Sequence, residues 1–275
     1  MRILYILPAE GFGGAERQGV VHIRRLRELG HDVVPFVGPG RSIRMALEDA
    51  GVDDYRFCSD LPQDAPRPLT LVRRVRHGWD TLSAWRRASS CALEVARSAG
   101  GVDLVFANAG VGIANRVLEG EAREIAWLMN VNVIGVTNTI VPFVPLMVKQ
   151  GSGVLCAVGS MAGHQPLPGR AAYSAAKACV RYFMSALRMD LHGTGVHAMT
   201  LCPGFVETAL TEGQAGMMFV IDVPGAVRYM VRGIEARENT YTFPWQMNLL
   251  KEVMARVPEP VIRRLAPPAR TRSSQ

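Results

Sequence analysis

Short apolar runs alternate with longer segments of helical periodicity along almost the whole chain, and that alternation leaves few folds open. Residues 2–7, 31–37, 54–58, 102–107, 153–158, 196–201 and 240–243 read as strands. Residues 15–29, 42–50, most of 69–99, 118–149, 172–191 and 223–236 read as the helices between them. Repeated strand–helix units of this length predict an α/β fold, a doubly wound parallel sheet of Rossmann-like form with helices on both faces. With 275 residues, 48 % of them hydrophobic, the chain can bury one large core. The expected organisation is a single α/β domain over 1–257, a three-layer sandwich whose parts 1–101 and 102–257 differ in character. A tail over 258–275, rich in Pro and Arg, is expected to fray.

Charge and cysteine usage exclude several function classes. The net charge is +7, but the arginines are scattered. Their clusters (Arg24-Arg25-Leu-Arg27, Arg73-Arg74-Val-Arg76, Arg86-Arg87 and Arg263-Arg264) are not interleaved with aromatics, as a nucleic-acid surface would be. They read as solvated helix faces whose field favours anionic ligands. Cys58, Cys91, Cys156, Cys179 and Cys202 show neither a C-x-x-C pair nor metal-ligand spacing. They read as buried thiols in a reducing compartment, with no metal site. The first apolar run is too short for a signal peptide, so a cytoplasmic location is expected. The segment 125–148 has no charged residue and is about long enough to span a bilayer. Asn130, Asn132, Asn138, Pro142 and Pro145 would be costly or disruptive in lipid, so a long buried helix is expected and not an integral span.

Ser160, Tyr173 and Lys177 carry the clearest chemistry. Tyr173 and Lys177 stand four apart within a predicted helix and therefore share a face. A phenol titrates near ~10, so a base working near neutrality needs its pKa lowered by roughly 2–3, equivalent to about 3–4 kcal/mol. A neighbouring ammonium acts in that direction. The chain contains 28 arginines and only 3 lysines. A lysine at this position suggests a need for a compact ammonium that a guanidinium does not replace. The group reads as an acid/base catalyst, with Ser160 placed to hold a carbonyl oxygen. His164 lies nearby in sequence and reads as an inert loop residue. Phe243-Pro-Trp245 reads as an aromatic cluster packed over the sheet.

From residue 102 onward the chain resembles the short-chain dehydrogenase/reductase family. The likeness rests on ordered motifs: Asn108-Ala-Gly110 after a strand, Asn132 within Val-Asn-Val-Ile-Gly, Ser160 13 residues before Tyr173, Y-x-x-x-K over Tyr173 and Lys177, and Pro203-Gly204 with Thr208 four residues on. The resemblance implies an NAD(P)-dependent oxidoreductase acting on a small-molecule carbonyl or secondary alcohol. In it Tyr173 is the acid/base, Ser160 holds the substrate oxygen, and Lys177 binds the nicotinamide ribose. Asn132 holds a water linking that lysine to solvent. Asn108 and Gly110 line the cofactor towards its adenosine side, while Pro203, Gly204 and Thr208 meet its nicotinamide end. It also implies a homodimer or homotetramer with the uncharged helix at an interface.

The first hundred residues differ. The family's T-G-x-x-x-G-x-G after the first strand is replaced by Gly11-Phe-Gly13-Gly14-Ala-Glu, and the third-strand aspartate has only Asp60 as a loose counterpart. Gly13-Gly14-Ala-Glu and Gly30-His-Asp-Val resemble instead the amino-terminal domain of GT-B glycosyltransferases. The chain is therefore expected to be a hybrid joined near Asp103. A sugar-nucleotide-binding or acceptor-binding fragment is the alternative function, and an inactive hybrid a third. Gly11, Gly13 and Gly14 are expected to replace the missing fingerprint in part at a helix N-terminus, which attracts anions, with impaired nucleotide binding. Arg41, after the second strand, is placed to meet a 2′-phosphate, which favours NADP.

Overall fold

The computed structural model describes residues 2–7, 14–37, 41–57, 92–94, 96–98, 100–112, 122–208, 211 and 216–265. Among them, seven strands form one sheet in the order β3-β2-β1-β4-β5-β6-β7. The strands are β1 (Arg2–Leu7), β2 (Asp32–Val37), β3 (Arg56–Phe57), β4 (Leu104–Ala107), β5 (Gly153–Val158), β6 (Val196–Pro203) and β7 (Thr240–Phe243). Every pairing is parallel. The order runs outward in both directions from β1 and β4, so a crevice opens beyond their carboxyl ends, where open α/β sheets bind ligands.

Side-chain alternation on the strands builds two cores. On β4, Leu104 and Phe106 face one way and join Ile23, Leu26, Met230 and Ile234. These come from α1 (Gly14–Glu28) and the helix Val223–Glu235. Val105 and Ala107 face the other way and join Val136, Ile140, Phe143, Met147, Val180 and Met184. Those belong to α3 (Ala122–Gln150) and α4 (Ala171–Asp190). The strand β5 is buried along its whole length, as a strand covered on both faces must be. Between β2 and β3 runs α2 (Arg41–Asp49). The Val223–Glu235 helix is α5, capped by Asp222, whose carboxylate accepts the Gly225 N–H at 2.8 Å.

The long uncharged segment is one helix, α3, as expected, but it is buried on one side only, with Ile134, Val141 and Val148 exposed. By length and composition it could cross a membrane, yet Val136, Ile140, Phe143 and Met147 lie buried in the core. Two helices escape the sequence reading: α6 (Trp245–Met254), directly after β7, and α7 (Glu259–Leu265), within the segment expected to fray. The aromatic pair also separates. Phe243 is buried beside Tyr229 and Tyr241, while Trp245 is 67 % exposed. Of the cysteines among the described residues, Cys156 and Cys202 are buried as expected, but Cys179 is exposed on α4.

The turn entering β6 depends on two left-handed glycines, Gly193 and Gly195, both at φ 79°. A Cβ on Gly193 would meet open space, whereas one on Gly195 would collide with the Gly151 carbonyl. Gly193→Ala should therefore cost about 1 kcal/mol from left-handed strain alone. Gly195→Ala should cost at least about 2 kcal/mol more, because backbone must move as well. Urea denaturation followed by circular dichroism separates the two; equal losses would mean that the turn relaxes freely.

Candidate active site

Three chain segments converge at the carboxyl ends of β4 and β5. The first is Asn108–Gly110, which leaves β4 with Asn108 buried. The second is a π-helical turn within α3, Asn130–Ile134, in which the Gly135 N–H reaches back to the Asn130 carbonyl. Such turns carry one extra residue and recur at functional sites. Here the turn places the fully buried Asn132 against the first segment. Its Nδ2 donates to the Val111 carbonyl at 2.9 Å, and its Oδ1 accepts the Val111 N–H at 3.1 Å. The side-chain amide thus binds backbone in both directions and ties the Asn130–Ile134 turn to the segment leaving β4.

The third segment runs from β5 into α4. Ser160 caps a single 3-10 turn, Met161–Gly163, and its Oγ accepts the Ala162 N–H at 3.2 Å. A Cβ on Gly163 would stand 2.7 Å from the Lys177 carbonyl oxygen, so the turn lies directly on the α4 backbone. Arg181, one turn beyond Lys177, donates from Nε to the Gly163 carbonyl at 3.1 Å and fastens the same turn. Tyr173 and Lys177 share a face of α4 as their spacing requires, with the Lys177 Nζ 5.8 Å from the Tyr173 ring centroid. That Nζ is buried and donates to the Val158 carbonyl at 2.9 Å. It also approaches Gly110, where a Cβ would come within 3.2 Å of it and 3.0 Å of Asn132 Oδ1.

Electrostatics at this cluster differ from the expectation. Burial raises the Tyr173 pKa above the usual phenol value, and the hydroxyl of Ser160 and the charge of Arg170 offset it only in part. The phenol is therefore held protonated, not biased toward phenolate by Lys177. Burial lowers Lys177 itself to about 8. His164 is lowered to about 4 by burial, then by Arg181 and Lys251, and stays neutral at physiological pH. Cys202 was not singled out by sequence reasoning, yet its thiol lies behind the site. A Cβ on Gly159 would come within 3.0 Å of its Sγ, and burial pushes it up to about 11. Only its neighbour in sequence, the Pro203-Gly204 motif, could have drawn attention to it.

The remaining predicted residues fall at the same rim or beyond the described residues. Pro203 ends β6. Gly204 donates its N–H to the Phe243 carbonyl at 2.8 Å, and a Cβ there would come within 2.6 Å of Met247 on α6. The Thr208 N–H donates to Thr211 Oγ1 at 3.0 Å. Gly14 opens α1 and Arg41 opens α2. Gly11, Gly13 and Asp60 lie outside the described residues.

Residues 80–217 match the family model described as short chain dehydrogenase. An uncharacterized oxidoreductase of Myxococcus xanthus is 38 % identical over 164 residues, 59 % of this chain and 65 % of that protein. One of Mycobacterium tuberculosis is 29 % identical over 153 residues, 55 % of this chain and 60 % of that protein. The chain thus spans less than two thirds of the length of these relatives. A short chain dehydrogenase from Burkholderia cenocepacia in complex with NADP superposes with TM-score 0.70 at 20 % identity, covering 97 % of this chain and 98 % of that one. One from Sphingobium yanoikuyae in complex with NADPH gives TM-score 0.65 at 20 % identity, covering 94 % and 96 %. One from Burkholderia phymatum in complex with NAD gives TM-score 0.69 at 19 % identity, covering 98 % and 96 %. These likenesses extend over the first hundred residues as well. None of the comparisons supports the glycosyltransferase likeness or a hybrid chain.

The lowered Lys177 pKa carries a stability consequence. In the unfolded chain the ammonium titrates near 10.5, in the folded protein near about 8. Folding therefore disfavours the proton, at a cost approaching about 3 kcal/mol that is fully present below pH 8 and vanishes as pH rises towards 10.5. Lys177→Met should be more stable than the parent by about 1–3 kcal/mol at pH 7, with the gap closing through that window. Urea titrations at several pH values check this; a destabilised variant at pH 7 would show that the Val158 contact outweighs burial.

Proposed function

The chain belongs to the short chain dehydrogenase family, and from that membership we propose that it is an NAD(P)-dependent oxidoreductase that interconverts a carbonyl compound and a secondary alcohol. The observation that carries this reading is the convergence of Ser160, Tyr173 and Lys177 at one rim of the sheet, on a floor made by Gly110 and locked by Asn132. The described residues fit a nicotinamide dinucleotide. A Cβ at the Gly110 floor would crowd Asn132 and Lys177, the crevice lies where the strand order reverses, and α1 presents its N-terminus from Gly14. Asn108, Gly110, Pro203, Gly204 and Thr208 would line the cofactor, and Lys177 has two further N–H donors for ribose hydroxyls. The positive charge of Arg41, which follows β2 in the sequence, favours NADP over NAD, because NADP carries an additional 2′-phosphate. A bound nicotinamide would supply or take the hydride.

The chain's own residues handle the proton and the oxygen. The Ser160 hydroxyl accepts the Ala162 N–H, and its own proton, directed to the Tyr173 oxygen in the resting site, can rotate to donate to a substrate carbonyl oxygen. Tyr173 donates its phenolic proton to the same oxygen during reduction. Its raised pKa keeps it in the acid form that this step needs. Lys177 stabilises the phenolate left behind, and at about 8 its pKa leaves it charged at neutrality. The committed amide of Asn132 acts as a positioning group, holding Val111 and hence the Asn108–Gly110 floor. A homo-oligomer is supported by exposed Ile134, Val141 and Val148 on α3, seven residues apart, beside exposed Tyr182 and Met189 on α4.

Tyr173→Phe should lower NAD(P)H-dependent carbonyl reduction by about 10²–10⁴-fold. Cofactor affinity, read by nucleotide fluorescence, should change little. Full activity in that variant would remove Tyr173 from the mechanism. The parent's reduction rate should be flat on the acid side and fall as pH rises past about 8, where Lys177 loses its charge. NADPH is expected to bind more tightly than NADH, and Arg41→Ala should remove that difference.

A further inference from the structure

Resting on the oxidoreductase reading, we propose that the substrate is a carbonyl compound with a bulky, uncharged apolar body. It would be gripped between two walls of the rim, residues 161–167 on one side and 217–220 on the other. The second wall is Met-Met-Phe-Val. Met218, Phe219 and Val220 are 48 %, 47 % and 43 % exposed. Contiguous apolar exposure of this kind marks binding surfaces. The segment is tied to the chain that leaves the carboxyl end of β6. Val206 and Ile221 form a parallel bridge, flanked by Glu207 N–H donating to the Ile221 carbonyl at 2.9 Å and Ile221 N–H donating to the Phe205 carbonyl at 3.0 Å. The Thr211 hydroxyl donates to the Val206 carbonyl at 2.6 Å. The apolar residues are thereby brought back beside the chain leaving Pro203-Gly204, with Asp222 anchoring the other side as the cap of α5.

Phe219 has φ 54°, in the left-handed region that a bulky side chain avoids. Among the described non-glycine residues only Arg237 shares that property. Backbone strain of this kind persists where the surroundings over-determine it, and it clusters at ligand clamps. The opposite wall starts at the catalytic cluster. Met161 follows Ser160, and the Leu167 N–H donates to the Ser174 hydroxyl at 3.2 Å, one residue past Tyr173, with the Leu167 side chain exposed.

Charge is missing from both walls. The only titratable group over 161–169 is His164, kept neutral by burial, and 216–221 has none. The cation whose field reaches Tyr173 from the mouth is Arg170, at the N-cap of α4. It separates two substrate classes, since an anionic keto compound would depend on it and an apolar ketone would not.

The test uses the full chain and equilibrium binding, which needs no turnover. Calorimetric titration with methyl ketones from butanone to octanone should show affinity rising about 2–4-fold per added CH₂. Phe219→Ser and Met218→Ser should flatten that dependence, with thermal melts unchanged because both side chains are exposed, while Arg170→Gln should leave it intact. Absence of chain-length dependence, or a dependence that survives both serine variants, would overturn the proposal. So would tighter binding of a keto acid that Arg170→Gln abolishes, or Phe219-dependent sedimentation of the protein with phospholipid vesicles. NADPH oxidation is measured in parallel. Chain-length-dependent binding without turnover would count against the oxidoreductase reading alone, whereas turnover indifferent to chain length would count against the apolar substrate alone.

Discussion

The buried ammonium of Lys177 is the constraint around which the functional end of this protein is arranged. A charge in a protein interior is tolerated only with hydrogen-bond partners close at hand. Lys177 has one backbone acceptor, the Val158 carbonyl at 2.9 Å. Space for the side chain comes from glycine. Gly110 lets the chain leaving β4 pass over the Nζ, and Gly163 lets the turn after Ser160 lie on the Lys177 carbonyl. An arginine would not fit the same role, because its planar fork needs more room and more acceptors than one carbonyl supplies. The presence of a lysine at this position in an arginine-rich chain thereby acquires a structural reason. The cost of burial is what brings the pKa down to about 8, within reach of physiological conditions.

The sheet transmits that arrangement to the first half of the chain. The strand β4 pairs with β1 on one side and β5 on the other. The segment around Asp103, expected to be a junction between unrelated parts, is thus the centre of one continuous parallel sheet. His22 on α1 meets Phe106 edge-on at 4.9 Å, so a helix of the first half packs beneath the strand that delivers Asn108. Burial brings that histidine down to about 3 and keeps it neutral at any physiological pH. The glycine motif differs from the family's usual one, yet the geometry that makes a crevice beyond β1 and β4 depends on strand order, not on that motif.

The strand–helix order was legible because parallel strands buried on both faces need continuous apolar runs, and residues 104–107 and 153–158 supply them. The Tyr173–Lys177 face followed from the helical period alone. The direction of the Tyr173 pKa did not, since spacing reveals a neighbouring charge but not the loss of water, and here desolvation wins. The commitment of Asn132 to Val111 depends on a π turn that no local pattern announces. The helices α6 and α7 were missed for a different reason. Each starts beside proline, Pro244 at one N-cap and Pro260 in the first turn of the other. Proline is tolerated there because the first-turn N–H groups have no intrahelical partner anyway. One start was taken as part of an aromatic cluster and the other as part of a Pro- and Arg-rich tail expected to fray.

Desolvation also links the acid to the walls around it. A phenol whose pKa is raised by burial keeps its proton at neutrality, so under the proposed function the resting state is the form that reduction needs, and oxidation would first require loss of that proton. The same low-dielectric surroundings disfavour any uncompensated charge on a substrate. A polar or anionic body filling the rim would need counter-groups that the Met161 and Phe219 walls do not carry, whereas an apolar body would exclude more water and hold the phenol more firmly in its acid form. In the proposed reaction, the acid form of Tyr173 and the preference for an apolar substrate would then share one physical cause, desolvation at the rim.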